Sequence, residues 1–168
     1  MIDCEALHFE DDGSIPNNPT QPLLLYQAVL SDKQRDPDVC IAMLSDHGWS
    51  NAWTNGIFPY HHYHSNAHEV LAVLNGTARV ILGGEQGKEA TLNKGDVVLI
   101  PAGVGHCRLE SSIDFLVAGA YDRGLSYDLC RGRPGEREKS LHNIRQVPMP
   151  RMDPVTGGQE PSYRYWSR

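Results

Sequence analysis

The chain has 168 residues, of which 40% are hydrophobic, and this composition predicts one globular domain rather than a disordered chain. Its net charge is −6 and its pI is near 5.7, so neither nucleic acid nor an anionic membrane surface is expected as a partner. The acidic first residues lack the features of a secretory signal, and no apolar run is long enough to span a bilayer.

Residues 1–50 are predicted to form an N-terminal arm, a strand and a helix that pack on the main fold. The first 22 residues are rich in turn-forming side chains, and the apolar run 23–30 has the length of a strand. Asp36 followed by Pro37 is typical of a helix start, and Gly48 is placed to end that helix.

Residues 51–125 have a different character, with short apolar runs between glycine turns. Strands are predicted at 70–74, 77–82, 97–100 and 113–121. Asn75-Gly76 is a preferred pair for a two-residue hairpin turn, which would join the first two of these strands. Short strands at near-regular spacing favour a β-sandwich or β-barrel, and this segment is predicted to be its core.

Residues 126–168 are predicted to add a charged helix at 134–145 and an extended arm, all within the same domain. The arm carries aromatic residues, among them Tyr163, Tyr165 and Trp166. Because such an arm has no core of its own, we expect it to cover either the barrel or a second subunit.

Cysteine spacing bears on the cellular compartment. The four cysteines are Cys4, Cys40, Cys107 and Cys130, and no two of them have the spacing of a zinc knuckle or a redox motif. Because no disulfide framework is evident, we expect free thiols in a reducing compartment, and therefore a cytoplasmic location.

Four of the eight histidines lie between positions 61 and 68. In an extended strand successive side chains point to opposite faces, so His62 and His64 share one face. Two imidazoles at this spacing can bind one ion together.

Glu69 is predicted to point toward the same interior. A hairpin at Asn75-Gly76 would place Glu69 on a face whose other members are all apolar, namely Leu71, Val73, Ala78, Val80 and Leu82. A carboxylate directed into an apolar interior costs several kcal/mol unless it is paired or bound to a metal. Glu69 is therefore a candidate ligand.

A fourth candidate ligand follows the apolar strand at 97–100. Pro101 and Gly103 would turn the chain back, which places His106 at the start of the next strand. Three imidazoles and one carboxylate form a good site for one divalent metal ion, such as Fe, Mn, Ni, Zn or Cu. An octahedral ion would keep about two positions for water or substrate.

These residues also stand in the order of two known sequence motifs, and on them the chain resembles the cupin superfamily. The first motif matches at Gly56, His62, His64, Glu69 and Gly76. The second matches at Gly95, Pro101, Gly103 and His106, with Glu110 where the family usually has Asn. The segments around residues 9–19 and 150–154 resemble uncharacterised bacterial cupins of the YjlB type.

The resemblance implies a mainly β fold, a single antiparallel jelly-roll barrel with a few short flanking helices. It also implies that His62, His64, Glu69 and His106 are the metal ligands, and that the chain forms a homodimer.

Four further residues are candidates for the substrate pocket: Tyr60, Arg108, Glu110 and Tyr121. Arg108 and Glu110 have the strand parity of His106, so both could face the barrel mouth, where Arg108 would hold a substrate carboxylate. The alternatives are that Arg108 pairs with Glu110 or with an acid across an interface, and that the two tyrosines belong to the core.

His61 and His68 are expected to lie away from the ion. A rival arrangement has His68 as a ligand in place of Glu69, but strand alternation disfavours it because these neighbours should face opposite ways.

The leading functional hypothesis is a metal-dependent enzyme acting on a small polar organic molecule. The family resemblance implies chemistry such as dioxygenation, isomerisation or decarboxylation. The alternative is a non-catalytic cupin that binds or senses a small molecule or a metal, and a third possibility is a structural barrel.

Overall fold

Two antiparallel sheets form the framework of the computed structural model, which describes residues 2–166. The larger sheet has six strands, in the spatial order β1 (Glu5–Leu7), β2 (Leu23–Tyr26), β7 (Val97–Ile100), β4 (Glu69–Asn75), β9 (Leu116–Asp122) and β3 (Trp49–Asn55). The smaller sheet has three, in the order β6 (Lys88–Asn93), β5 (Thr77–Leu82) and β8 (His106–Ser111). The mainly β, antiparallel prediction is confirmed, while the closed barrel stays a prediction.

Within residues 2–166, three short α-helices flank the sheets, namely α1 (Pro37–Asp46), α2 (Arg137–Gln146) and α3 (Ser162–Trp166). Helix α1 begins as predicted, because the Asp36 side chain accepts hydrogen bonds from the backbone N–H groups of Asp38 and Val39. None of the helices in the described part of the chain is long and apolar enough to cross a membrane.

One hydrophobic cluster fills the space between the sheets. Leu71 and Val73 of β4 meet Val80 and Leu82 of β5 there, and all four side chains are buried. These residues occupy alternate positions in their strands, so Glu69 of β4 and His106 of β8 point into the same interior.

A second cluster covers the other face of the six-stranded sheet. Val70 and Ala72 of β4 pack there against Leu44 of α1 and Trp166 of α3. The Trp166 indole N–H donates to the carbonyl of Pro22 at 2.8 Å. Strand β4 is thus buried on both faces, and the C-terminal segment packs on the sheet of its own chain.

The predicted hairpin at Asn75-Gly76 is wrong in its pairing. Strand β4 pairs with β7 and β9, whereas β5 pairs with β6 and β8, so the turn carries the chain from one sheet to the other. Gly76 has φ 73°, and a Cβ there would lie 2.7 Å from the backbone of Phe115. Only glycine fits this close crossing.

The predicted strand at 113–121 begins too early. Strand β9 starts at Leu116, and Ile113 lies exposed in the preceding turn. All four cysteines are free, as expected.

Candidate metal centre

Three histidines converge between the two sheets. His62, His64 and His106, the histidine cluster, each offer a ring nitrogen, and these nitrogens lie within 4.8 Å of one another. All three side chains are buried. His62 and His106 exchange backbone hydrogen bonds, and their ring centroids are 4.0 Å apart. The backbone itself therefore sets the spacing of these two rings.

Backbone carbonyls fix the orientation of each ring in the cluster. Each Nδ1 lies against a carbonyl oxygen, and the three acceptors belong to Tyr60, Val104 and Asp128. A carbonyl oxygen can only accept, so each Nδ1 carries the hydrogen. In a neutral ring the Nε2 lone pair is then free, and this is the tautomer that a metal requires.

Glu69 lies beside the cluster with its side chain almost fully buried. Its Oε1 is 3.3 Å from Nε2 of His106, and its Oε2 is 3.5 Å from Nε2 of His64. The Tyr121 hydroxyl donates to Oε2 at 2.7 Å. Oε1 has no hydrogen-bond partner among residues 2–166.

The ionisation of these groups is coupled. Burial and the neighbouring charge of His106 lower the pKa of His62 to about 3. Burial also acts to lower the pKa of His64, but the Glu69 carboxylate outweighs it and raises that pKa above its usual value. Burial acts to raise the pKa of Glu69, yet His64 and His106 hold it below its usual range. The Glu69 carboxylate and the protonated form of His64 therefore stabilise each other.

This donor set fits a divalent cation. The three ring nitrogens lie within 4.8 Å of one another, and the Glu69 oxygens lie 3.3 Å and 3.5 Å from two of them. Lone pairs this close repel one another unless a cation or a proton lies between them. Oε1 of Glu69 has no hydrogen-bond partner within residues 2–166, so it is available to such a cation. Nitrogen and oxygen donors of this kind suit borderline ions such as Fe, Ni, Zn or Cu.

Tyr121 links the Glu69 carboxylate to Trp53 by hydrogen bonds. The Trp53 indole N–H donates to the Tyr121 oxygen at 2.9 Å, and Tyr121 donates in turn to Glu69. Burial and Glu69 both raise the pKa of Tyr121, so its hydroxyl keeps its proton. The chain Trp53–Tyr121–Glu69 holds one carboxylate oxygen and leaves the other free.

A cavity of about 670 Å³ opens beside the cluster. Its lining includes the three histidines, Glu69, Tyr121 and Arg108, and much of the remaining wall is apolar or aromatic. The structure therefore brings the four proposed ligands and two of the four pocket candidates to one chamber.

Glu110 does not face this cavity, contrary to expectation. In the ladder between β5 and β8, Val80 pairs with Arg108 but Arg79 pairs with Glu110, so Leu109 is an extra residue that reverses the alternation. The Glu110 carboxylate instead accepts from Nε of Arg79 at 3.1 Å on the outer surface.

Tyr60 also lies outside the cavity lining. Its ring stacks on Phe58 with centroids 5.0 Å apart, and the Arg131 guanidinium lies 3.8 Å from the ring centroid. Its contribution to the site is the backbone carbonyl that holds the ring of His62.

His68 points away from the cluster, as strand alternation predicts. Its Nδ1 accepts from the backbone N–H of Ala102 at 2.9 Å, and its ring packs on Trp166 with centroids 4.8 Å apart. This geometry gives no support to His68 as a replacement for Glu69.

The segment after β9 adds two site residues that sequence reasoning missed. The Tyr127 ring stacks on Tyr121 with centroids 4.1 Å apart and lines the cavity. The Asp128 carboxylate accepts from both the backbone N–H and the hydroxyl of Ser65, while its backbone carbonyl holds His64. No spacing pattern in the sequence marks either residue.

The chain is similar in sequence to known proteins. The cupin domain family matches residues 52–108. Protein YjlB from Bacillus subtilis (strain 168) is 46% identical over 164 residues, which are 98% of this chain and 97% of that protein.

Solved structures that are similar to the chain include the following two. The WlaRB TDP-quinovose 3,4-ketoisomerase from Campylobacter jejuni is 18% identical, with 56% of this chain and 75% of that chain covered and a TM-score of 0.43. Acireductone dioxygenase from Bacillus anthracis, with a cadmium ion in its active centre, is 16% identical, with 62% and 80% covered and a TM-score of 0.44.

Proposed function

The chain belongs to the cupin superfamily, and from this premise we propose that it binds one divalent metal ion and acts on a small polar organic molecule. The ligands are the Nε2 atoms of the histidine cluster and the Oε1 atom of Glu69. One observation carries the proposal: every Nδ1 in the cluster is engaged by a backbone carbonyl, while the opposite nitrogens converge beside an unpaired carboxylate oxygen.

The ion would supply Lewis acidity toward an oxygen atom of the substrate. The protein contributes orientation, because the carbonyls fix the three rings and Tyr121 fixes Glu69. Apolar residues of the cavity wall lower the local dielectric constant, which strengthens electrostatic interactions beside them.

Elemental analysis tests the metal site. We expect about one ion per chain after reconstitution with Fe, Mn, Ni, Zn or Cu, and a large loss of bound ion in His62→Ala and His106→Ala. His8→Ala is the control, because His8 is exposed and remote from the cluster in sequence. A chain that takes up none of the five ions, although it is folded, would remove the basis of the proposal.

The reaction is proposed to be a dioxygenation or an isomerisation, but one observation favours the non-catalytic alternative. Apart from the proposed ligands, the cavity lining within residues 2–166 contains no Asp, Glu, Lys, Cys or His. The hydroxyl groups of the lining belong to Tyr121, Tyr127, two serines and one threonine. Turnover of a metabolite panel by the metal-loaded protein decides between them, because a binder would be stabilised by a ligand without converting it.

A homodimer is proposed as well, because the cupin resemblance implies one. Sedimentation equilibrium of the metal-loaded protein should give twice the chain mass of 18.7 kDa. A mass of one chain at micromolar concentration would rule the dimer out under those conditions.

A further inference from the structure

One arginine brings a positive charge to the candidate metal centre. Among the described residues that line the cavity, Arg108 is the only Lys or Arg. It follows His106 by two positions on the inward face of β8, which places their backbones about 7 Å apart. A molecule of a few heavy atoms can therefore reach from one residue to the other.

The guanidinium group of Arg108 is held in place but lacks a counter-charge. Its Nε–H donates to the carbonyl of Ile57 at 3.0 Å, and its backbone N–H donates to the carbonyl of Phe58 at 3.0 Å. Its two terminal amino groups have no acceptor within residues 2–166. The nearest acid along its strand, Glu110, is paired with Arg79 on the outer surface.

We infer that the cavity binds an organic acid whose carboxylate pairs with the free edge of Arg108 and whose apolar body lies against the aromatic wall. The two terminal amino groups form a fork that matches the two oxygens of a carboxylate. A half-buried, fixed guanidinium loses little freedom when it pairs, which favours tight binding.

The aromatic residues of the cavity wall determine which groups the rest of the ligand can carry. Trp53, Phe58, Phe115 and Tyr127 all line the cavity. These rings favour a ligand with an aromatic or branched aliphatic group, and a cavity of about 670 Å³ has room for one. A phosphate ester is disfavoured, because its second negative charge would enter a chamber that already holds Glu69.

This inference rests on the proposed function in one respect only: a second oxygen of the acid, a hydroxyl or a carbonyl, is directed toward the histidine cluster. The ligand class is therefore a hydroxy- or oxo-carboxylic acid with an apolar body. Its carboxylate contact is independent of the metal.

Acids and their matching amides test whether the cavity recognises the carboxylate of the ligand. Lactate, phenyllactate and phenylpyruvate are each compared with the corresponding amide by calorimetry, on metal-free and on metal-loaded protein. We expect at least one acid to bind tenfold or more tightly than its amide. Arg108→Gln should reduce this ratio to within twofold, whereas Arg79→Gln, which removes an exposed arginine from the neighbouring strand, should leave it unchanged.

The outcomes separate this inference from the metal proposal. Bound metal, measured on the same samples, should be equal in wild type and Arg108→Gln. If the chain takes up no metal but still prefers acids to amides, the Arg108 site is supported and the metal proposal is contradicted. The inference is overturned if no acid exceeds its amide, if Arg108→Gln keeps the preference, or if inorganic phosphate binds more tightly than every acid.

Discussion

The hydrogen bond from Tyr121 to Glu69 can be removed with almost no change in shape. Tyr121→Phe keeps the ring that stacks on Tyr127 but deletes the hydroxyl that lies 2.7 Å from Oε2 of Glu69. It also removes the acceptor of the Trp53 indole N–H. Hydrogen bonds to a charged group contribute about 1.5–3 kcal/mol, and Glu69 is too deeply buried for water to replace the donor easily. We expect metal-free Tyr121→Phe to lose stability in this range.

The same substitution should weaken metal binding. Without its donor, the carboxylate is free to rotate, and Oε1 is no longer held toward the histidine cluster. Loss of a partner that orients a metal ligand typically costs about 10–100-fold in affinity. Competition against a chelator of known affinity measures this change, and urea unfolding of the metal-free protein measures the stability.

Tyr63→Phe is the matched control. Tyr63 is also a buried tyrosine, and its hydroxyl donates to the neutral hydroxyl of Ser140 at 2.9 Å. Removing it should cost about 1 kcal/mol of stability and leave metal affinity unchanged. If both variants bind metal within twofold of the wild type, then Tyr121 does not position the ligand and the reasoning is wrong.

Three further predictions concern protons, metal and the C-terminal segment. Because Glu69 raises the pKa of His64 above its usual value, metal binding should release protons from His64, and affinity should fall as the pH is lowered from 8 to 5. Calorimetry in two buffers of different ionisation enthalpy measures both quantities, and an affinity that does not change with pH would contradict the histidine ligands. Saturating metal at about 1,000 times its Kd should raise the free energy of unfolding by about 4 kcal/mol, and the His106→Ala variant should show little of this gain. Asp153→Asn should destabilise the fold by about 2–4 kcal/mol. The buried Asp153 carboxylate accepts hydrogen bonds from the Tyr26 hydroxyl and from the backbone N–H groups of Val155, Thr156 and Ser162. Thermal unfolding measures the change, and an unchanged midpoint would show that these hydrogen bonds contribute nothing to stability.

The inward direction of Glu69 could be predicted although its predicted strand partner was wrong. Alternation within β4 alone places Glu69 on the side of Leu71 and Val73, whichever strand lies opposite. The two-residue turn predicts that β4 and β5 are close, but not that they belong to different sheets. The local alternation of side chains therefore determines which face of β4 carries Glu69, whereas the strands that pair with β4 are distant in sequence.

Glu110 shows where alternation fails. One extra residue, Leu109, reverses the parity of β8 after Arg108, and nothing in the residue types around it marks a bulge. Tyr127 and Asp128 could not be predicted for another reason. They reach the histidine cluster only because the segment after β9 folds back and pairs Cys130 with Tyr63, which is a tertiary contact.

The position of the candidate metal centre follows from the way the sheets meet. Glu69 and Tyr121 stand on the six-stranded sheet, whereas His106 begins a strand of the three-stranded sheet and holds His62 through a backbone bridge. Apolar contacts of the core join the two sheets across the interior, and Oε1 of Glu69 lies 3.3 Å from Nε2 of His106. An ion bound by Glu69 and by the histidine cluster would fix the two sheets to each other beside the cavity. The cavity would also give such an ion access to a ligand, so the gap between the sheets and the candidate metal centre are one feature.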